Sequence, residues 1–234
     1  MSSSNTTSFK PAIVVVDLQN DFCPPNGSLA VAGGRDIAPL INDLLSLPFA
    51  LKVATKDFHP QDHISFASNH PAPDNKPFES FVTITNPLNS SETEVSRLWP
   101  DHCVQGTPGS ELIEELDKNK INVIIEKGQD KRVEMYSAFA DPFPTTVSSS
   151  RLGKTLKDAD ITHVYCVGIA TDYCVKYTAL DSAKEGFVTY FIEDATKPVD
   201  PSAVDDVRNE LQKFGVTFIQ SQSEEVQKVR SLTG

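Results

Sequence analysis

Five runs of consecutive apolar residues, each about one strand long, punctuate the chain at residues 12–16, 50–55, 122–126, 162–167 and 187–193, with a weaker sixth at 216–219. Most are continuous rather than alternating, the pattern of strands covered on both faces by helices. Between them, residues 36–47, 110–118, 151–158, 172–184 and 202–214 carry apolar side chains at helical spacing, as does a last stretch at 223–232. Strand and helix therefore alternate. That order predicts an α/β fold, an open doubly wound parallel sheet with right-handed crossovers, in which ligands bind beyond the carboxyl ends of the strands.

Two segments break the rhythm. Residues 71–100 are rich in proline and contain the polar string NSSETE, too long for an ordinary connection. Residues 128–150 are the second. Neither resembles a domain boundary, so the expectation is one domain over 1–234 with a lid-like insertion at about 67–98.

Composition narrows the partners. The 234 residues include 21 basic and 32 acidic side chains, a net charge of −11, which argues against a nucleic-acid footprint and for a small ligand. No run approaches the roughly 18 apolar residues of a membrane helix, and the first residues, MSSSNTTSFK, lack the apolar centre of a secretory signal. A cytoplasmic protein is expected. Its four cysteines then read as free thiols, one of them reactive.

Four polar residues stand at the carboxyl ends of predicted strands: Asp17 after IVVV, Asp57 after LKVATK, Lys127 after NVIIE, and Cys174 shortly beyond HVYCVG. All four would meet at one edge of the sheet, and an acid, a lysine and a thiol are the set a nucleophilic cysteine site requires. Taken singly, Asp17 reads equally well as a turn cap and Lys127 as a solvated strand end. Cys174 falls in the first turn of a helix capped by Thr171 or Asp172, where the dipole and terminal amides favour a thiolate and could hold an oxyanion. Cys166, inside its strand, reads as a buried small hydrophobe.

Asp57 and His59 are two apart and, in an extended segment, point the same way; a distant His102 would close a set of three for zinc, iron or manganese. D-x-H alone is a weak pattern, and Pro60 behind it also fits a plain turn. His63 and His70 read as surface helix residues rather than extra ligands. The GKT at residues 153–155 lacks both the leading glycine and the leading strand of a phosphate loop. With no G-x-G-x-x-G after a strand and no G-x-S-x-G, dinucleotide binding and the serine hydrolase layout are disfavoured.

The segments VVVDLQNDFC, TKDFHPQDHISF, WPDHCVQGTPGSEL, KGQDKRVEMYSAF and GIATDYCVKYTALDSA, in this order, resemble the isochorismatase-like cysteine hydrolases and, within them, the nicotinamidases, which convert nicotinamide to nicotinic acid and ammonia in NAD salvage. The resemblance spans most of the chain and implies a three-layer fold with about six parallel strands. It implies a catalytic triad of Asp17, Lys127 and Cys174, an oxyanion hole from the amides of Ala170 and Cys174, and a cis peptide between Ile169 and Ala170. It also implies one divalent metal, zinc first with iron or manganese as alternatives, on Asp57, His59 and His102. The pyridine ring would bind among Phe22, Trp99, Tyr136, Ile169 and Ala170. The residues 67–98 are longer than in many bacterial relatives and resemble eukaryotic members more. Two alternatives stay open: another amide or carbamoyl hydrolase of this fold, and a catalytically silent ligand-binding member. Homo-oligomerisation is left open.

Overall fold

The computed structural model describes residues 8–232. Six parallel strands form one sheet: β1 (Pro11–Val16), β2 (Leu51–Asp57), β5 (Val123–Lys127), β6 (His163–Ile169), β7 (Val188–Lys197) and β8 (Thr217–Ile219). Their spatial order is β5-β2-β1-β6-β7-β8. The chain thus builds outward from β1 on one side and then returns to add β6 on the other. The crevice between β1 and β6 is the switch point at which an open sheet of this kind leaves room for a ligand.

The apolar runs of the central strands β1 and β6 are continuous because both faces meet helices, whereas the edge strand β5 leaves Ile124 exposed. Ile13 and Val15 of β1 pack with Ile41, Leu44 and Leu45 of α1 (Ala38–Leu45) and with Val226 and Val229 of α5 (Glu224–Arg230). Ala12, Val14 and Val16 face the other way. They join Leu152 and Leu156 of α2 (Leu152–Asp158), Val175 and Ala179 of α3 (Cys174–Lys184), and Val207 and Leu211 of α4 (Val204–Gln212). The result is the expected sandwich of three layers.

Two expectations change. Residues 110–118 do not form an α-helix; between two short 3-10 turns, Pro108–Ser110 and Lys118–Lys120, the chain makes one bridge at Leu112 and then a turn. Its backbone is held by the loop after β1, where Asn20 N–H donates to Glu111 O at 2.9 Å and Ile113 N–H to Leu18 O at 3.0 Å. Leu112, Ile113 and Leu116 are buried without an α-helix, a tertiary override of local spacing. The second change is α3, whose start lies two residues later than expected, at Cys174. Neither proposed cap serves it: the Thr171 hydroxyl donates to Thr196, and the Asp172 carboxylate accepts the amides of Val199 and Asp200.

Within residues 71–100 the chain forms an antiparallel ribbon, β3 (Phe81–Thr85) paired with β4 (Thr93–Arg97). Ile84 is buried against Val133 and Phe143, so one face of the ribbon packs on the second irregular segment. This seats Ser96 and Trp99 beside Tyr136.

Gly168 of β6 pairs in register with Val16 of β1. Its φ is +114°, and a Cβ there would overlap the Val16 carbonyl. Gly168→Ala should therefore cost about 3 kcal/mol or more of folding stability, measured by denaturant unfolding. A loss below about 1 kcal/mol would contradict this close approach.

Candidate active site

Each chemical group arrives from a strand end. Asp57 and Lys127 are the last residues of β2 and β5 and are paired neighbours in register. Asp17 follows β1 with a left-handed backbone (φ 46°), a conformation Asp tolerates better than most residues, and Cys174 opens α3 after β6. The four side chains meet in a fully enclosed cluster. Lys127 Nζ lies 3.0 Å from Asp17 Oδ2, 2.5 Å from Asp57 Oδ1 and 3.6 Å from Cys174 Sγ. Carboxylate oxygens of Asp17 and Asp57 and the Cys174 sulfur all fall within 4.8 Å of one another.

Neighbours fix the two acids. The Thr55 hydroxyl donates to Asp17 Oδ1 at 2.5 Å, leaving Oδ2 to the lysine. Gln19 clamps the backbone of Asp57: its amide oxygen accepts the Asp57 N–H at 2.8 Å, and its amide nitrogen donates to the Asp57 carbonyl at 2.8 Å. Neither Thr55 nor Gln19 carries a signal in the sequence that separates it from a core polar residue.

The protonation pattern follows from burial and one ammonium. Burial disfavours charge on Lys127, but Asp17 and Asp57 outweigh it and hold the lysine protonated, well above its usual range. Burial also opposes charge on Asp57, yet Lys127 and then His59 keep it ionised, well below the usual carboxylate range. Asp17 is different: burial lifts it to about 6 against the pull of Lys127. The Cys174 thiol is pushed well above its ordinary value by burial, which exceeds the help from Lys127. This corrects the expectation of a thiolate stabilised by the helix terminus. The resting sulfur is a neutral thiol, and the nearest group suited to accept its proton is Asp17.

A second cluster shares Asp57. Ligand atoms of Asp57, His59 and His102 lie within 4.8 Å of one another, and all three residues are buried. His59 Nδ1 donates to Gly128 O at 2.7 Å and His102 Nδ1 to Pro100 O at 2.7 Å, a tautomer assigned from these carbonyl partners. In the neutral rings both Nε2 atoms carry the lone pair, as in metal-binding histidines held by carbonyls. Burial opposes charge on His59, but Asp57 outweighs it and raises the His59 pKa, so an ion there takes the place of a proton. His59 Nε2 is buried with no hydrogen-bond partner, and burial with the neighbouring His59 lowers the His102 pKa to about 4, keeping it neutral. The set therefore fits a divalent cation. Gly128 is required beside it, because its φ is +67° and a Cβ would overlap the His59 ring.

His63 departs from its expected place on a surface helix. It is fully buried, its ring 4.1 Å from that of His59, with Nδ1 on the Ser65 hydroxyl and Nε2 unpartnered. His70, half-buried, engages the Ile64 carbonyl through Nε2. The signal for His63 was its place in the string that also carries Asp57 and His59.

Phe22, Trp99, Tyr136, Ala170, Tyr173 and Cys174 line a cavity of about 30 Å³ together with Asp57, His102 and Glu134. Trp99 N–H donates to the Tyr136 hydroxyl at 2.9 Å, and the Trp99 and Tyr173 rings meet edge to face at 4.9 Å. Ile169 is not in this lining; its side chain is buried in the core towards Gly34. The Ile169–Ala170 peptide is cis. The cavity wall includes Tyr173 and the buried Glu134, which the sequence reading did not single out.

An isochorismatase domain is matched over residues 11–223. A nicotinamidase of Acinetobacter baylyi is 46% identical over 189 residues, covering 81% of this chain and 82% of that protein. The crystal structure of the yeast nicotinamidase bound to the inhibitor nicotinaldehyde superposes with a TM-score of 0.84 at 35% identity, covering 90% of this chain and 99% of the yeast chain. The pyrazinamidase of Pyrococcus horikoshii in complex with zinc aligns with a TM-score of 0.68 at 34% identity, over 90% of this chain and 99% of its own. On the extent of these matches and the shared fold, this chain belongs to the isochorismatase-domain family.

Proposed function

We propose that this protein is a nicotinamidase, an amidohydrolase that splits nicotinamide into nicotinic acid and ammonia through a thioester on Cys174. The observation that carries this reading is the Cys174 sulfur, held within reach of the Asp17 carboxylate and the Lys127 ammonium at the floor of an aromatic cavity. The 46% identical relative is a nicotinamidase, and the superposed yeast enzyme carries a pyridine aldehyde, both in keeping with a flat pyridine amide as substrate.

In this mechanism Asp17 takes the thiol proton of Cys174 as the sulfur attacks the carboxamide carbon. The negative charge that develops on the amide oxygen is met by the backbone N–H groups of Ala170 and Cys174. Cys174 opens α3, where first-turn amides have no partner within the helix, so its N–H suits this task. As the intermediate collapses, the carbon–nitrogen bond breaks and Asp17 returns the proton to the leaving nitrogen, which departs as ammonia. Water then attacks the thioester with Asp17 again taking a proton, the carbon–sulfur bond breaks, Asp17 returns that proton to the sulfur, and the carboxylic acid is released. Lys127 remains protonated throughout, holding Asp17 and Asp57 in place and lowering the cost of charge on the sulfur.

Asp57, His59 and His102 would hold one divalent cation, taken as zinc on the chemistry of one carboxylate with two imidazoles and on the zinc complex of the related pyrazinamidase. Such an ion supplies a Lewis-acidic contact for the pyridine nitrogen and so orients the ring. The aromatic side chains Phe22, Trp99 and Tyr136 would flank the ring. Nothing in this scheme needs a protein partner, and among the described residues no helix is long and apolar enough to cross a membrane.

Four measurements test the reading. Cys174→Ala should lower kcat for ammonia release from nicotinamide by about 10⁴-fold or more, as loss of a covalent nucleophile does; turnover near that of the unaltered enzyme would exclude the nucleophile assignment. Because Asp17 must be ionised to accept the proton and its pKa is raised to about 6, kcat/KM should fall as pH drops through about 6, with a slope of one proton. A profile flat to pH 4.5 would remove Asp17 as the base. Chelation should abolish ammonia production and added zinc restore it, while His59→Ala should reduce bound metal as measured by elemental analysis. Full activity after verified metal removal would overturn the role of the metal.

A further inference from the structure

The segment after β1 sends side chains at alternate positions to three parts of the site. Asp17 enters the cluster, Gln19 clamps Asp57, and Asp21 reaches elsewhere. The Asp21 carboxylate does not line the cavity; its Oδ2 accepts the backbone N–H of Cys103 at 2.7 Å. Cys103 directly follows His102 and holds a left-handed backbone, with φ 47°. A residue with a Cβ keeps that conformation only where its surroundings impose it.

The same turn carries the other imidazole. The Cys103 carbonyl accepts the His59 N–H at 3.0 Å, and Gln105 N–H donates to the His59 carbonyl at 2.9 Å, so His59 and residues 103–105 form a short parallel bridge. Gly109 leaves the room this needs, because a Cβ there would overlap the Asp21 carboxylate. One carboxylate thus pins a turn that is covalently joined to His102 and hydrogen-bonded to the backbone of His59.

We infer that Asp21 is a positioning residue for the metal cage: by holding the Cys103 amide, it fixes the turn that aims His102 and sets it in register with His59. The inference rests on the reading above that Asp57, His59 and His102 take a divalent cation. A charged acceptor on a backbone amide makes a stronger bond than a neutral one, and a cage whose ligands are already aimed binds its ion more tightly than one that must be ordered first.

The test is zinc affinity of the full-length protein, measured by competition with a chromophoric chelator, together with the visible spectrum of the cobalt-loaded form. Asp21→Ala should lose affinity about ten- to a hundredfold and alter the cobalt bands, and Asp21→Asn, which keeps an acceptor oxygen, should recover most of the loss. Gly109→Ala displaces the carboxylate without removing it and should weaken binding in the same direction; it decides the matter if Asp21→Ala does not fold by circular dichroism. Unchanged affinity in folded Asp21→Ala or Gly109→Ala, or an Asn variant as weak as the Ala variant, overturns the role of Asp21. If the unaltered chain takes up neither zinc nor cobalt, the metal reading itself fails and this inference falls with it.

Discussion

Everything at the site depends on one buried cation. Lys127 is 2% exposed, and an unpaired ammonium at that depth would lose its proton or unfold its surroundings. It is retained because two carboxylates reach it from adjacent strands, and their separate geometries divide the labour. Asp57 makes the shorter contact and stays ionised, while Asp17 is held less strongly and titrates near neutrality. One positive charge shared between two acids therefore leaves one of them free to exchange a proton. Burial keeps the thiol neutral, so in the proposed mechanism the sulfur becomes a nucleophile in concert with that acid.

Asp57 links this cluster to the imidazole pair. Its Oδ1 contacts Lys127, and its Oδ2 lies 3.6 Å from His59 Nε2. Such a shared carboxylate must be placed accurately, which accounts for the amount of structure spent on its backbone: the bidentate clamp from Gln19 and the register pairing of β2 with β5. The long excursion contributes at the opposite wall, where Ser96 and Trp99 fix the Tyr136 hydroxyl and so set the aromatic side of the cavity.

Much of this was legible in the chain. Parallel strands buried on both faces leave uninterrupted apolar runs, so β1 and β6 could be read directly; β5, an edge strand with Ile124 exposed, showed itself by its apolar composition, and the strand-end rule pointed to Asp17, Lys127 and Cys174 as neighbours. Local pattern failed where non-local bonds decide. Residues 110–118 carry helical spacing, but the Glu111 carbonyl and Ile113 amide bond to the loop after β1, and the Glu115 carbonyl and Asp117 amide bond to the Asn42 side chain. The ribbon β3–β4 was hidden because strands with one solvated face are short and mixed in composition. Gln19, Thr55 and Asp21 are ordinary polar residues until their partners from distant segments are known. The state of the Cys174 sulfur was misjudged because helix-terminal position is visible in sequence whereas depth of burial is not.

The strand order has a further consequence for how the protein gains activity. The acid follows β1, the lysine ends β5 and the thiol opens the helix after β6, and no contiguous stretch of modest length contains all three. Neighbouring parallel strands must close long loops before they pair, which makes such sheets slow to assemble. Recovery of turnover after dilution from denaturant would thus follow the last of these long-range pairings, trailing behind the return of helical signal from the locally encoded segments.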